Sequence, residues 1–119
     1  MSTTAIATTT AYRRKVAAAA ANGTAIPRIS HIAFGTGSRP YSIDDTGLQA
    51  EFLRLPATVS VAGVQLLAVA TLPGAQVGTR VLREVAAFAS DGTLVGRRVI
   101  TPKEFEPETE MDFELTFQY

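Results

Sequence analysis

The sequence contains no cysteine, no tryptophan and a single histidine, His31. Without cysteine there are no disulfides, no thiolate metal ligands and no cysteine nucleophile. Any Ser-His-acid arrangement would have to use His31. That residue lies between Ser30 and Ile32 in a strand-like stretch, where a packing or hydrogen-bonding role fits it best. No apolar run approaches the roughly 20 residues of a membrane-spanning helix, so no membrane insertion is expected. The first residues are uncharged and Thr-rich and precede the basic cluster, unlike a secretory signal, so synthesis and assembly in the cytoplasm are expected. Charge is also sparse, at 18% of residues against about a quarter in an ordinary soluble chain. A surface partly covered by partners fits that deficit.

What charge there is lies unevenly. The formal net charge is zero, which removes the non-specific attraction to nucleic acid. Before Asp44 there are five basic residues (Arg13, Arg14, Lys15, Arg28, Arg39) and no acid. From Glu104 onward there are six acids (Glu104, Glu106, Glu108, Glu110, Asp112, Glu114) and no base. Arg13, Arg14 and Lys15 on one side, and Glu106, Glu108 and Glu110 on the other, form a candidate partner interface. If the two sets lie apart in space, neighbouring copies attract head to tail or side to side. If they face each other in one fold, or are simply solvated, they do not.

The 119 residues suit one domain. Residues 1–9 read as a flexible Thr-rich arm, because Thr in series is a poor helix former. Residues 10–119 form the domain. A helix is predicted from about Thr10 to Asn22, with Thr10 able to cap it, alanines from Ala17 favouring it and Asn22-Gly23 ending it. Its apolar face, Tyr12, Val16 and Ala19 or Ala20, is weak, so it needs a docking surface. The rest reads as strands. Around Ile29–Phe34 the alternation is imperfect, as expected for a strand covered on both faces. Gly35 to Pro40 is a loop, and residues 38–51 an irregular connection. Phe52–Leu55 is a short strand ended by Pro56. Thr58–Leu72 is a long β-branched stretch in which Gly63 marks a bulge or a turn. Asp91-Gly92 between two apolar runs signals a hairpin. Met111–Tyr119 alternates cleanly, as a half-buried antiparallel strand does. The fold class is α+β: an N-terminal Ala-rich helix packed on an antiparallel β-sheet, with a hairpin at Asp91-Gly92.

No enzyme or cofactor template is met. Phe34 to Ser38 lacks the third glycine of a dinucleotide loop, and no Gly-Lys-Ser/Thr follows. Asp44-Asp45 and the later acids lack the ordered spacing of a calcium loop. The expectation is a chain without catalytic, metal or cofactor-binding residues. The acidic run reads as a solvated or partner-facing strand edge.

Two segments carry a family resemblance. Leu82-Arg-Glu-Val-Ala-Ala-Phe-Ala-Ser-Asp-Gly-Thr-Leu-Val95 resembles the signature hairpin of phage tail-collar and tail-fibre N-terminal domains, which typically read Arg-Glu-Val-Gly-Leu-Phe, then Asp-Gly, then Leu-Ile-Ala. Arg83, Glu84, Val85, Phe88, Asp91, Gly92 and Leu94 match, while Ala86-Ala87 replace Gly-Leu. Ile29 to Gly37 is similar to the family's Ile-Thr-x-Met-Ala-x-Gly-x-Gly strand, with Gly35 and Gly37 matching and Thr36 in place of a common Asp. The order of helix, strand with Gly loop, hairpin and Phe-rich last strand agrees over residues 10–119. The resemblance implies a structural virion protein that attaches fibres to the baseplate of a contractile tail. Its partners would be baseplate and tail-fibre proteins, and it would act as a homo-oligomer, a trimer being the form of similar fibres. The family proteins continue into a shaft and receptor-binding tip. A chain ending at Tyr119 holds only what looks like the attachment module, which favours an adaptor. The alternative is a host-surface carbohydrate-binding module. The absence of Trp and the dispersal of Tyr12, Tyr41 and Tyr119 weigh against an aromatic sugar platform.

Overall fold

The computed structural model describes residues 5–119. One main helix, α1 (Thr10–Asn22), precedes seven strands: β1 (Ile29–Gly35), β2 (Glu51–Pro56), β3 (Thr58–Ala62), β4 (Gln65–Pro73), β5 (Leu82–Ala89), β6 (Leu94–Lys103) and β7 (Glu110–Gln118). A single-turn helix, α2 (Gly74–Val77), joins β4 to β5. All strand pairs are antiparallel, in a four-stranded sheet β2-β1-β5-β6 and a three-stranded sheet β3-β4-β7. The fold is the α+β arrangement expected, with its strands divided between two sheets that pack face to face.

Side-chain parity sets the core. From β7, Phe113, Leu115 and Phe117 turn inward; from β1, Ile32 and Phe34 meet them. Phe34 and Phe113 make an edge-to-face contact, with ring centroids 5.4 Å apart. β1 is hydrogen-bonded on both sides, and both its faces are covered. Ala33 joins Ala86, Phe88 and Leu94 in a second apolar cluster on the outer face of the larger sheet, under Leu48. That double coverage explains the broken alternation of its sequence.

The helix ends are built locally. Thr9, not Thr10, is the N-cap: its hydroxyl oxygen accepts from the Tyr12 N–H and its hydroxyl donates to the Leu94 carbonyl. Gly23, at φ 67°, takes the left-handed cap position and donates to the Ala19 carbonyl. Tyr12 and Ala19 are buried on the docking face, and Val16 is half-buried. Residues 5–9 of the expected arm pack into the domain; residues 1–4 lie outside the described residues. The Ile6 N–H donates to the Thr116 carbonyl of β7 and the Thr9 N–H to the Val95 carbonyl of β6. The segment thus bridges one edge strand of each sheet.

The Asp91-Gly92 hairpin has a three-residue loop. The Gly92 N–H donates to the Ala89 carbonyl and the Ala89 N–H to the Thr93 carbonyl. Gly92 has φ 89°, so a tight turn is followed by one residue in a conformation that glycine adopts without steric cost. Gly63 starts the two-residue β3–β4 turn at φ 62°, which makes it a turn and not a bulge. Pro102 lies inside β6, at a sheet edge where its missing N–H is tolerated.

Candidate functional site

Three of the residues behind the resemblance, Gly35, Gly37 and Glu84, meet at one buried carboxylate. β5 pairs antiparallel with β1, bringing Glu84 opposite Gly35. The Glu84 side chain is inaccessible to solvent. Its Oε2 accepts from the backbone N–H of Gly37 (2.7 Å) and Ala50 (2.8 Å). Its Oε1 accepts from the Gln49 N–H (2.9 Å) and from Arg97 Nε (2.7 Å). A carboxylate offers about four lone-pair positions, and these donors occupy them all. Burial pushes the carboxyl up; the Arg97 guanidinium and the three amides outweigh it and hold Glu84 below its ordinary value. The charged form is therefore the structural form, and the arrangement offers no free acceptor for acid-base work. What it does is fix the two ends of loop 36–50 against the sheet.

The glycines follow from the same geometry. A Cβ on Gly35 would stand 2.5 Å from Glu84 Oε2 and 2.7 Å from the Ala50 carbonyl oxygen. On Gly37 it would stand 2.6 Å from Glu84 Oε2 and also collide with Gln49. Neither has a positive φ, so it is space and not backbone freedom that requires glycine. Arg97, on β6, continues the network: Nη1 lies 3.5 Å from Asp45 Oδ2, and Asp45 Oδ1 accepts from Arg39 Nη2 at 3.2 Å. Arg97 Nη2 is buried and has no hydrogen-bond partner among the described residues. The Tyr41 hydroxyl donates to the Ala7 carbonyl, joining this loop to the N-terminal segment. Burial, and after it the charge of Asp45, pushes that phenol up to about 12, so it remains a donor. Phe88 lies on the same outer face, with the Arg54 guanidinium 3.7 Å above its ring centre. Arg83 is half-buried at an irregularity in the β5–β6 pairing.

The charge clusters are placed far apart. Arg13, Arg14 and Lys15 are exposed on the first turns of α1. The helix dipole disfavours cations there. Lys15 is offset by Asp91 of the hairpin, Nζ to Oδ2 2.6 Å. Its hydrogen bond, followed by those from Thr93, holds Asp91 down at about 2. Asp44 lies near the same helix end, accepting from the Thr10 hydroxyl at 3.3 Å. Glu106, Glu108 and Glu110 are exposed in the β6–β7 loop and at the start of β7. Arg13 lines one hollow with Gln118, at the other end of β7. At about 3.4 Å per residue, Glu110 to Gln118 spans ~27 Å. Among the described residues no ion pair joins the two sets. They therefore form two poles of the domain and do not neutralise each other.

Asp44 and Asp45, adjacent in sequence, diverge to the helix and to the arginines, and among the described residues no group of three or more His, Asp or Glu could hold a metal ion. His31 is half-buried, with Nδ1 2.8 Å from Ser30 Oγ. Sequence reasoning named Glu84 but missed its partners Arg97, Gln49 and Ala50, and the contact of Arg97 with Asp45. The available signal was a pair of opposite charges, Glu84 and Arg97, each set within an apolar strand run. Compared with known protein families, curated proteins and solved structures, the chain matches none.

Proposed function

We propose that the chain is a structural, non-enzymatic adaptor of a phage-type contractile tail, joining tail fibres to the baseplate. The observation that carries the reading is the Glu84 centre. Three of the residues by which the chain resembles tail-fibre N-terminal domains, Gly35, Gly37 and Glu84, meet at one point. There they do the work of a fold-defining lock, with every carboxylate lone pair engaged. A motif spent on rigidity suits a part that transmits force between larger assemblies. The two charged poles, Arg13–Lys15 and Glu106–Glu110, lie at opposite ends of β7 and suit contacts with different neighbours.

The experiment is deletion of the gene from the genome that encodes it, followed by negative-stain microscopy of the purified particles. The expected particles have a complete tube and sheath but no fibres, and plasmid-borne protein restores the fibres. Fully fibred particles from the deletion strain would refute the adaptor role.

A further inference from the structure

Among the described residues, β3 is the one of the four edge strands left without charge, proline or cover. β2 carries the Glu51–Arg54 ion pair and Pro56. β6 carries Arg97, Arg98, Pro102 and Lys103, and its Val95 carbonyl is taken by Thr9. β7 carries Glu110, Asp112 and Glu114, and its Thr116 carbonyl is taken by Ile6. β3, Thr-Val-Ser-Val-Ala, has neither charge nor proline, and all five of its residues are exposed. From Leu55 to Thr79 the sequence has no charged residue at all. Charge, proline and cover are the devices that keep sheet edges from pairing; among the described residues β3 has none.

The edge is also self-complementary. Ala62 and Gln65 close the β3–β4 turn, so Thr58, Ser60 and Ala62 direct their backbone groups to β4. Val59 and Val61 direct theirs outward. Read in reverse, the strand is nearly the same. Its valines share the inner face of the smaller sheet, since Val61 is opposite Leu66 and Val59 opposite the buried Ala68. That face opens at this end into a groove lined by Tyr12, Ile26, Val59, Leu66 and Tyr119. Ile26 is 49% exposed, Val61 70%, Val64 58% and Tyr119 54%.

We propose that β3 pairs antiparallel with β3 of a second copy about a two-fold axis at Ser60, joining two three-stranded sheets into one. Val59 then lies opposite Val61 of the other copy, and vice versa. The outward backbone groups of both valines make about four hydrogen bonds across the axis. No like charges meet. Val59, Val61, Val64, Ile26 and Tyr119 are all exposed large apolar residues on or beside this edge, and contiguous exposed apolar residues mark interaction surfaces. The pairing is independent of the tail role and of the charged poles.

The chain has no cysteine, so S60C introduces a unique thiol. At the axis the two Ser60 positions form a non-hydrogen-bonded pair with Cα atoms ~4.5 Å apart, within disulfide reach. Mild oxidation is expected to convert S60C to a covalent dimer at concentrations where S90C, exposed on the β5–β6 turn, stays monomeric. Light scattering of the unaltered chain is expected to show a dimer that persists in about 1 M NaCl, where the Debye length is only ~3 Å. V61K is expected to be monomeric with an unchanged Tm. A chain monomeric at every concentration, a dimer dissociated by salt, a V61K dimer, or equal cross-linking of S60C and S90C would each overturn the proposal. So would a β3 edge that binds the Thr-rich segment of another copy, revealed by loss of the dimer on deleting residues 2–4.

Discussion

Replacing Glu84 with Gln tests the lock most sharply, because the two side chains have nearly the same shape. In the native site Oε2 faces two N–H donors, and Oε1 faces an N–H and the Arg97 guanidinium. A glutamine amide must put its NH2 group at one of these positions, so in either orientation two donors lose their acceptor and face another donor. Arg97, with a solvent-inaccessible side chain, also loses its main counter-charge. Removing one partner of a buried pair costs about 3–5 kcal/mol. For a chain of this size that is a fall in Tm on the order of 10–20 °C. Thermal unfolding followed by circular dichroism reads it. Hydrogen exchange adds a local readout: the Gly37, Gln49 and Ala50 amides are expected to exchange far faster in E84Q relative to the core amides of β1. The effect depends on pH with a definite sign. The folded carboxyl lies below its unfolded value, so its stabilisation is complete above the unfolded value, about 4.3, and is lost as pH falls through the folded one. The gap between native chain and E84Q should be constant above about pH 5 and narrow below about pH 4. An E84Q variant within about 2 °C of the native Tm at pH 7 would refute the reasoning.

Gly35→Ala should destabilise by about 1–3 kcal/mol, the usual cost of overpacking, because the added methyl meets Glu84 Oε2 and the Ala50 carbonyl; chemical denaturation reads it. Thr9→Ala removes the cap to Tyr12 N and the bond to the Leu94 carbonyl, and should cost about 1–2 kcal/mol in the same assay. Lys15→Met should let the Asp91 carboxyl rise from about 2 toward its ordinary value in an NMR titration, with little change in stability because the pair is exposed.

Where burial is one-sided, the sequence announces structure; where it is two-sided or long-range, it does not. β7 alternates because its inner face meets the core and its acids meet water. β1 does not alternate, since Ile32 and Phe34 face one cluster and Ala33 the other. The helix was legible to within its cap, and the hairpin from Asp91-Gly92, because both rest on local backbone chemistry. α2 is a single turn, too short for any periodicity to show. Of the Glu84 network only the Glu84 and Arg97 charges left a signal in the sequence; their pairing and the amide donors did not, because the donors lie 47, 35, 34 and 13 positions away. Gly35 and Gly37 stood out in the sequence as loop glycines and through the family resemblance, and the carboxylate that excludes their side chains supplies the physical cause. The open β3 edge was hidden inside one long β-branched stretch, where a bulge and a turn at Gly63 read alike.

The central claim, a structural part of a contractile tail, is tested most directly by locating the protein. Particles purified on a density gradient from the cells that encode the chain, labelled with antibody to the recombinant protein and viewed by electron microscopy, should carry gold at the baseplate end, where the fibres join. Antigen confined to the soluble fraction, with unlabelled particles, would contradict the account.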